Sequence, residues 1–283
     1  MVLIADDRFE QFFEPYAKNV DNFYEASYWR LCDEVIRELI RRHLHVGPGD
    51  HIVDAGGGTG RWAQWCAREL GTRVTVADRA RAMLDRAAES LARPEVEDVA
   101  GSVDLVHCDI EDAPELADES FDGLVSIYNM LSFNTDPGRA FATMHRVLKP
   151  GRHGLVMGQG LANALASKFN RDLASAEEIR ELAATSIVQW APHVPPLRVF
   201  SAADLTELAA GAGFEVRGVF GVTALLTPGP EDFTYPYEKM SDVSRSLEDP
   251  SVFEAALEQE LAVNGRPGWA DRGVNLMIHV YKP

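Results

Sequence analysis

The chain has 283 residues, of which 46% are hydrophobic, enough for one full α/β core and a smaller second layer. Its formal net charge is −17 at pH 7, and its short basic cluster at residues 41–43 lies between acidic stretches. Such a field repels polyanions, so we expect neither a nucleic acid nor an anionic membrane as a partner.

The remaining composition gives expectations about the compartment. The apolar residues 1–4 are cut short by charged residues at 6–8, unlike a signal peptide, and no apolar stretch approaches the roughly 20 residues of a membrane helix. Cys32, Cys66 and Cys108 are too scattered for a zinc motif. We expect reduced, buried cysteines in a cytoplasmic protein.

The hydrophobic pattern divides the chain into two parts. Helical spacing predicts one or two amphipathic helices over residues 8–44, ended by the turn sequence at 46–50. Short apolar runs then alternate with helical stretches from 51 to about 158, which predicts βαβ units. The fold expected is α/β, a doubly wound, mostly parallel, seven-stranded Rossmann-like sheet over 46–283, with residues 1–45 as an N-terminal helical lid.

Two segments interrupt this alternation. Residues of about 161–200 are predicted to be a mostly helical insertion that ends in a proline-rich stretch, and residues of about 228–271 a second, acidic insertion. A helix near 202–212, a strand near 214–222 and a terminal strand at 275–281 continue the α/β pattern between and after them.

A glycine-rich turn is the strongest chemical signal. The sequence His51-Ile52-Val53-Asp54-Ala55-Gly56-Gly57-Gly58-Thr59-Gly60-Arg61 predicts a buried strand, a turn and the start of a helix. Glycines let the backbone approach a ligand and adopt positive φ, and a helix N-terminus offers free N–H donors.

The spacing in this turn distinguishes between ligands. A dinucleotide fingerprint needs a third glycine where Arg61 stands, and the phosphate-loop lysine is also missing. Asp54 at the strand end would repel a pyrophosphate but suits a cationic amino-acid moiety. S-adenosylmethionine (SAM), with an ammonium, a sulfonium and no phosphate, fits this pattern.

Two more carboxylates follow predicted strands at the same sheet edge. Asp78 ends the second strand about 20 residues after the turn, the separation expected for an acid that binds a ribose. Asp109 ends the third strand, where it would lie near an adenine amino group with Ile110 against the ring.

Together these motifs resemble class I SAM-dependent methyltransferases over about 46–158, 200–225 and 274–282. The residues that carry the resemblance are Val53 to Gly60, Asp78 with Met83-Leu84, Asp109-Ile110, Phe121 to Ser126 and Arg146 to Gly151. The chain departs from the family at Gly57, where a bulkier residue is common.

The resemblance implies SAM as the cofactor and a set of residues that contact it. This set is Asp54, Ala55, Gly56, Gly58, Gly60, Asp78, Arg79, Met83, Asp109, Ile110, Tyr128 and Asn129, with Tyr16 covering the cofactor from the N-terminal layer. It implies the activity of a SAM-dependent methyltransferase.

The methyl acceptor is predicted by exclusion. Residues 128–131 lack the Asn- or Asp-Pro-Pro-aromatic motif of enzymes that methylate base or amide nitrogens; no Pro-Cys pair suggests a cytosine enzyme, and no ligand cluster suggests a metal. We therefore expect a small-molecule acceptor methylated on O, N or C, and no metal. His193, in the proline-rich part of the first insertion, is the candidate general base.

The eight aromatic residues between 9 and 29 exceed what one helix stripe can bury. We expect part of them, with the insertion around Trp190 and His193, to close over an apolar or aromatic acceptor. The alternatives are a SAM-binding cyclase or regulatory protein without methyl turnover, and a nucleotide-linked oxidoreductase, which Asp54 and Arg61 disfavour.

Overall fold

A computed structural model describes residues 6–170, 174–233 and 239–283, with residues 6–8, 10 and 23 described by their backbone only. The strands are β1 His51–Ala55, β2 Arg73–Asp78, β3 Val103–His107, β4 Phe121–Ser126, β5 Leu148–Gly160, β6 Ile187–Val188, β7 Leu197–Phe200, β8 Glu215–Val222 and β9 Asn275–Tyr281. The helices are α1 Asp6–Tyr16, α2 Val20–Phe23, α3 Ser27–His43, α4 Arg61–Leu70, α5 Arg81–Leu91, α6 Glu97–Ala100, α7 Met130–Phe133, α8 Pro137–Val147, α9 Leu161–Asn170, α10 Ala176–Thr185, α11 Ala202–Gly211, α12 Asp242–Ser246 and α13 Pro250–Val263.

The predicted α/β class with a mostly parallel sheet is confirmed. The order β3-β2-β1-β4-β5 is parallel throughout, and β9 pairs antiparallel with both β5 and β8. One buried cluster packs α3 and α4 against one face, and another packs α8 and α11 against the other. The ends of β1, β2, β3 and β4 therefore meet at one carboxyl edge, where open α/β sheets bind ligands.

The strand count differs from the prediction because the first insertion is not helical to its end. It contains α9 and α10, but β7 joins the carboxyl end of β5 in parallel and β6 pairs with β7, which gives nine strands within the described residues. Leu197, Val199 and Phe200 are buried there, so their apolar side chains stabilise strand pairing rather than an isolated lid.

The N-terminal layer contains two structurally different parts. Helix α3 lies in the main core, with Tyr28, Leu31, Val35 and Ile36 fully buried. Helices α1 and α2 instead form a small separate cluster with Met83 and its neighbours above the carboxyl edge. Only α1 and α2 thus have the position that the predicted lid over 1–45 requires.

The structure also bears on the expectations about the cysteines and about membrane helices. Cys32, Cys66 and Cys108 are buried and free of disulfides. Within the described ranges, no helix is both long enough and apolar enough to cross a bilayer.

Four histidines cluster at the opposite, amino edge of the sheet. His153 Nδ1 lies 2.9 Å from His279 Nε2, and the rings of His43 and His45 lie 5.0 and 4.6 Å from those of His279 and His153. Burial, followed by the charges of the neighbouring histidines, lowers the pKa of His279 to about 3. The folded protein therefore holds this histidine neutral where an unfolded chain would protonate it.

We predict that acid destabilises the protein through this cluster. The folded pKa of His279 is lowered, so its contribution to the free energy of unfolding is present above pH ~6.5 and is lost as the pH falls from there toward 3, by at most about 1.4 kcal/mol per pH unit. Urea unfolding at pH 5–7.5 should show a shallower loss for His279→Gln than for the wild type. His193→Gln, at an exposed position, is the control, and equal pH slopes for His279→Gln and wild type would contradict the prediction.

Candidate cofactor and acceptor site

The glycine-rich turn between β1 and α4 has a backbone that only glycine adopts readily. Gly56, Gly58 and Gly60 have φ of +70°, +55° and +73°. A Cβ on Gly58 would lie 2.8 Å from Met83 Cε, and one on Gly56 would lie 2.1 Å from Met130 Cγ. The turn is thus closely packed as well as conformationally special.

Asp78 connects the turn after β1 to the turn after β2. Its Oδ2 accepts a hydrogen bond from Gly58 N at 2.9 Å, and its Oδ1 accepts one from Ala80 N at 2.8 Å. A carboxylate has about four lone-pair sites, so these two backbone bonds do not by themselves saturate it. Asp78 lies on the wall of the cavity described below.

Asp54 lies beneath the turn rather than on the cavity wall. Its side chain is 1% exposed, and neither carboxylate oxygen has a hydrogen-bond partner among the described residues. A Cβ on Gly57 would lie 2.5 Å from Asp54 Oδ2. Burial, and then the charge of Asp78, raises the pKa of Asp54 to about 7, so a nearby cation would favour its ionised form.

An ion pair that sequence analysis missed flanks the turn. The Arg61 guanidinium donates to both oxygens of buried Asp33, one bond measuring 3.1 Å, and Tyr128 Oη donates to Asp33 Oδ1 at 2.6 Å. Arg61 lies 4.3 Å from the ring centre of Tyr24. The sequence held two signals: a cation at the N-terminus of α4, where the helix dipole disfavours it, and an acid within the buried stripe of α3.

Helices α1 and α2 cover the turns after β2 and β3. The guanidinium of Arg79 lies 3.6 Å from the ring centre of Phe9 and its Nη1 lies 3.4 Å from Asp109 Oδ2. Thr59 Oγ1 in the glycine turn donates to Asp21 Oδ1 at 2.7 Å. Burial raises the pKa of Tyr16 to about 12. Helices α1 and α2 are thus linked to the glycine turn by polar contacts as well as by packing.

These elements enclose one cavity of about 910 Å³ along the carboxyl edge. We call its two parts the glycine-loop end, around Gly58, Asp78 and Asp109, and the insertion end, around Gln159 and Trp190. The predicted residues on its wall are Tyr16, Gly56, Gly58, Asp78, Arg79, Met83, Asp109, Ile110, Tyr128, Asn129 and His193. The other predicted residues, Asp54, Ala55 and Gly60, stand behind the wall.

The insertion end is apolar with a few amides. Phe133, Trp190 and Leu197 form part of its wall, and Gln159, Asn163 and Asn275 supply its polar groups. His193, which is exposed, lies at this end, as the position of the insertion led us to expect. Sequence analysis missed the amides because no local motif marks them.

No group of three or more histidine, cysteine or acidic side chains in the described part of the chain could hold a metal ion.

Comparison with known proteins identifies the domain. Residues 52–151 match the family model described as a methyltransferase domain. The methyltransferase GfsG of Streptomyces halstedii is 32% identical over 48% of this chain and 45% of its own length, so the chain spans about half the length of that relative.

Two solved structures share the fold. The [4+2]-cyclase SpnF has a TM-score of 0.55 and 22% identity, covering 90% of this chain and 80% of its own. The geranyl diphosphate C-methyltransferase of Streptomyces coelicolor A3(2), solved with S-adenosyl-L-homocysteine, has a TM-score of 0.54 and 15% identity, covering 89% and 79%.

The residues present fit SAM. The carboxylate of Asp54 has no hydrogen-bond partner among the described residues, so a cation nearby would stabilise its charge. A Cβ added at Gly58 would occupy the space above the turn. The same carboxylate disfavours a pyrophosphate at this position. Residues 52–151 are a methyltransferase domain, and the chain is similar in sequence and in fold to SAM-dependent methyltransferases.

Proposed function

We propose that this protein transfers the methyl group of SAM to O, N or C of a small, largely apolar or aromatic molecule. The observation that carries the proposal is one continuous cavity, which joins a glycine-loop end suited to a cationic cofactor to an apolar insertion end. Ligand sites are mostly apolar with a few placed polar groups, which is the composition of the insertion end.

The glycine-loop end would hold the cofactor. Asp78 would accept the ribose hydroxyls, Asp109 and Ile110 would contact the adenine, and buried Asp54 would attract the ammonium through the turn or through water. Tyr16, Arg79, Met83, Tyr128 and Asn129 would complete the wall.

When bound, SAM supplies an electrophilic methyl group on its sulfonium. The protein's part is to align the acceptor and exclude water, since in-line displacement depends on position and desolvation. Where the acceptor must lose a proton, His193 on the wall of the insertion end would receive it.

The cofactor assignment predicts a selective loss of affinity. Asp78→Ala should weaken SAM binding about ten- to hundredfold, because hydrogen bonds to a charged group contribute roughly 1.5–3 kcal/mol. Calorimetry should show SAM and S-adenosylhomocysteine binding to the wild type, with NAD far weaker. Asp104→Ala, which removes an exposed acid from β3, should bind SAM normally.

The Asp78→Asn variant keeps one side-chain oxygen as an acceptor. Circular dichroism establishes whether each variant is folded. Comparable NAD affinity, or an unchanged SAM dissociation constant in folded Asp78→Ala, would contradict the assignment. A screen of candidate acceptors for S-adenosylhomocysteine formation separates methyl transfer from a SAM-binding cyclase or regulator.

The lid hypothesis predicts that SAM slows hydrogen exchange in two segments. Residues 9–24 pack on the turns at the glycine-loop end and residues 185–200 border the insertion end, so ligand in the cavity should stabilise both. Helix α3 is an internal reference, because its side chains are core in either state. Equal protection from hydrogen exchange with and without SAM would show that these segments are permanent core and would contradict the lid hypothesis.

The role of His193 is tested separately, once an acceptor has been found. His193→Ala should lower kcat and leave the SAM dissociation constant unchanged if the residue accepts a proton. Full turnover of His193→Ala would leave the lid hypothesis intact and remove the general-base role.

A further inference from the structure

Two amide side chains lie side by side on the floor of the insertion end. Gln159, at the end of β5, and Asn275, at the start of β9, are directly opposite each other in the antiparallel pair. Opposite residues of such a pair project from the same face of the sheet. Both are on the cavity wall, and Asn163 of α9 adds a third amide nearby.

The orientation of the Gln159 amide is fixed by Trp190. The indole Nε1 donates to Gln159 Oε1 at 3.0 Å. Since an indole N–H can only donate, the atom that faces it must be the amide oxygen. Gln159 Nε2 has no acceptor among the described residues, and it therefore remains as a donor for a ligand.

Trp190 is itself held by its surroundings. The ammonium of Lys168 lies 5.8 Å from its ring centre and donates to the carbonyl oxygen of Gln189 at 3.0 Å. Lys168 is buried. The donor at Gln159 is thus oriented by packed neighbours rather than by a mobile surface side chain, which is the condition for selective recognition.

Apart from His193, the acidic and basic side chains on the described cavity wall already have hydrogen-bond or ion-pair partners. Asp232 lines the cavity, but its carboxylate accepts bonds from Ser241, Ser244 and Gly229 N. Arg61 is engaged by Asp33. A carboxylate or ammonium group on a ligand would lose its hydration here without an ionic partner, which is costly.

We propose that Gln159 and Asn275 form a subsite that selects an uncharged oxygen function, a carbonyl or hydroxyl, on the molecule that enters the insertion end. The proposal rests on the proposed function for the role of that molecule as methyl acceptor. Gln159 binds the oxygen through Nε2, and Trp190 is a positioning residue that keeps this amide in its donating orientation.

The experiment uses the full chain saturated with S-adenosylhomocysteine and a set of naphthalene probes that differ in one substituent. The probes are acetylnaphthalene, naphthol, naphthoate, naphthylmethylamine and ethylnaphthalene, titrated by calorimetry at pH 7.5. Acetylnaphthalene and naphthol should bind about tenfold more tightly than ethylnaphthalene, the range of one or two neutral hydrogen bonds. Naphthoate and naphthylmethylamine should bind more weakly than either.

Two variants separate the subsite from general packing. Gln159→Leu should abolish the preference for the oxygenated probes while retaining ethylnaphthalene. Trp190→Phe frees the Gln159 oxygen, so the amide can rotate and accept; the preference for acetylnaphthalene, which cannot donate, should fall relative to naphthol. Gln64→Leu, on α4 outside the cavity, is the matched control and should bind every probe as the wild type does.

The proposal is overturned if a charged probe binds as tightly as the neutral oxygenated ones, if no oxygenated probe binds, or if their advantage survives Gln159→Leu. These results are distinguishable from failure of the proposed function, because that failure is the absence of SAM binding or of methyl transfer. Probe selectivity is measured without turnover.

Discussion

The carboxylate of Asp54 is the constraint on which the rest of the site depends. It is buried beneath the glycine-rich turn with both oxygens lacking a hydrogen-bond partner, and its pKa is raised to about 7. Burying an ionised carboxylate without a partner is unfavourable. A cation above the turn would stabilise the negative charge of Asp54. The ammonium and sulfonium of SAM supply positive charge, whereas the phosphates of a dinucleotide would add to the repulsion.

The neighbouring contacts keep the turn open for such a ligand. Asp78 holds Gly58 N at 2.9 Å, and the Arg61–Asp33 pair fixes the start of α4. Arg61 is neutralised where its charge would otherwise oppose the helix dipole. Because β5 ends and the antiparallel β9 begins at the edge of the sheet where β1 ends, the amides Gln159 and Asn275 lie in the same cavity. One edge of the sheet therefore carries both the glycine-loop end and the insertion end of the cavity.

The parts of this site that follow a strand locally could be predicted, and those made by distant segments could not. The glycine turn, Asp78 and Asp109 are marked by short motifs at strand ends. The bond between Trp190 and Gln159 joins residues that no motif relates, because the position of the first insertion depends on β7 adding to the sheet. The hydrophobic periodicity of α3 predicts an amphipathic helix, but periodicity alone does not distinguish a core helix from a lid. The packing of α3 against the sheet identifies it as a core helix.

The pH dependence of SAM affinity tests the role of Asp54 most directly. Below about pH 7 the free protein holds a proton on Asp54, and a bound cation favours its release, so affinity should fall with acidity by at most about tenfold per pH unit. Calorimetry between pH 5.5 and 8 should show this fall in the wild type, together with proton release on binding. Asp54→Asn should bind SAM more weakly at pH 8 and show a nearly flat profile. The same pH dependence in folded Asp54→Asn as in the wild type would contradict the account.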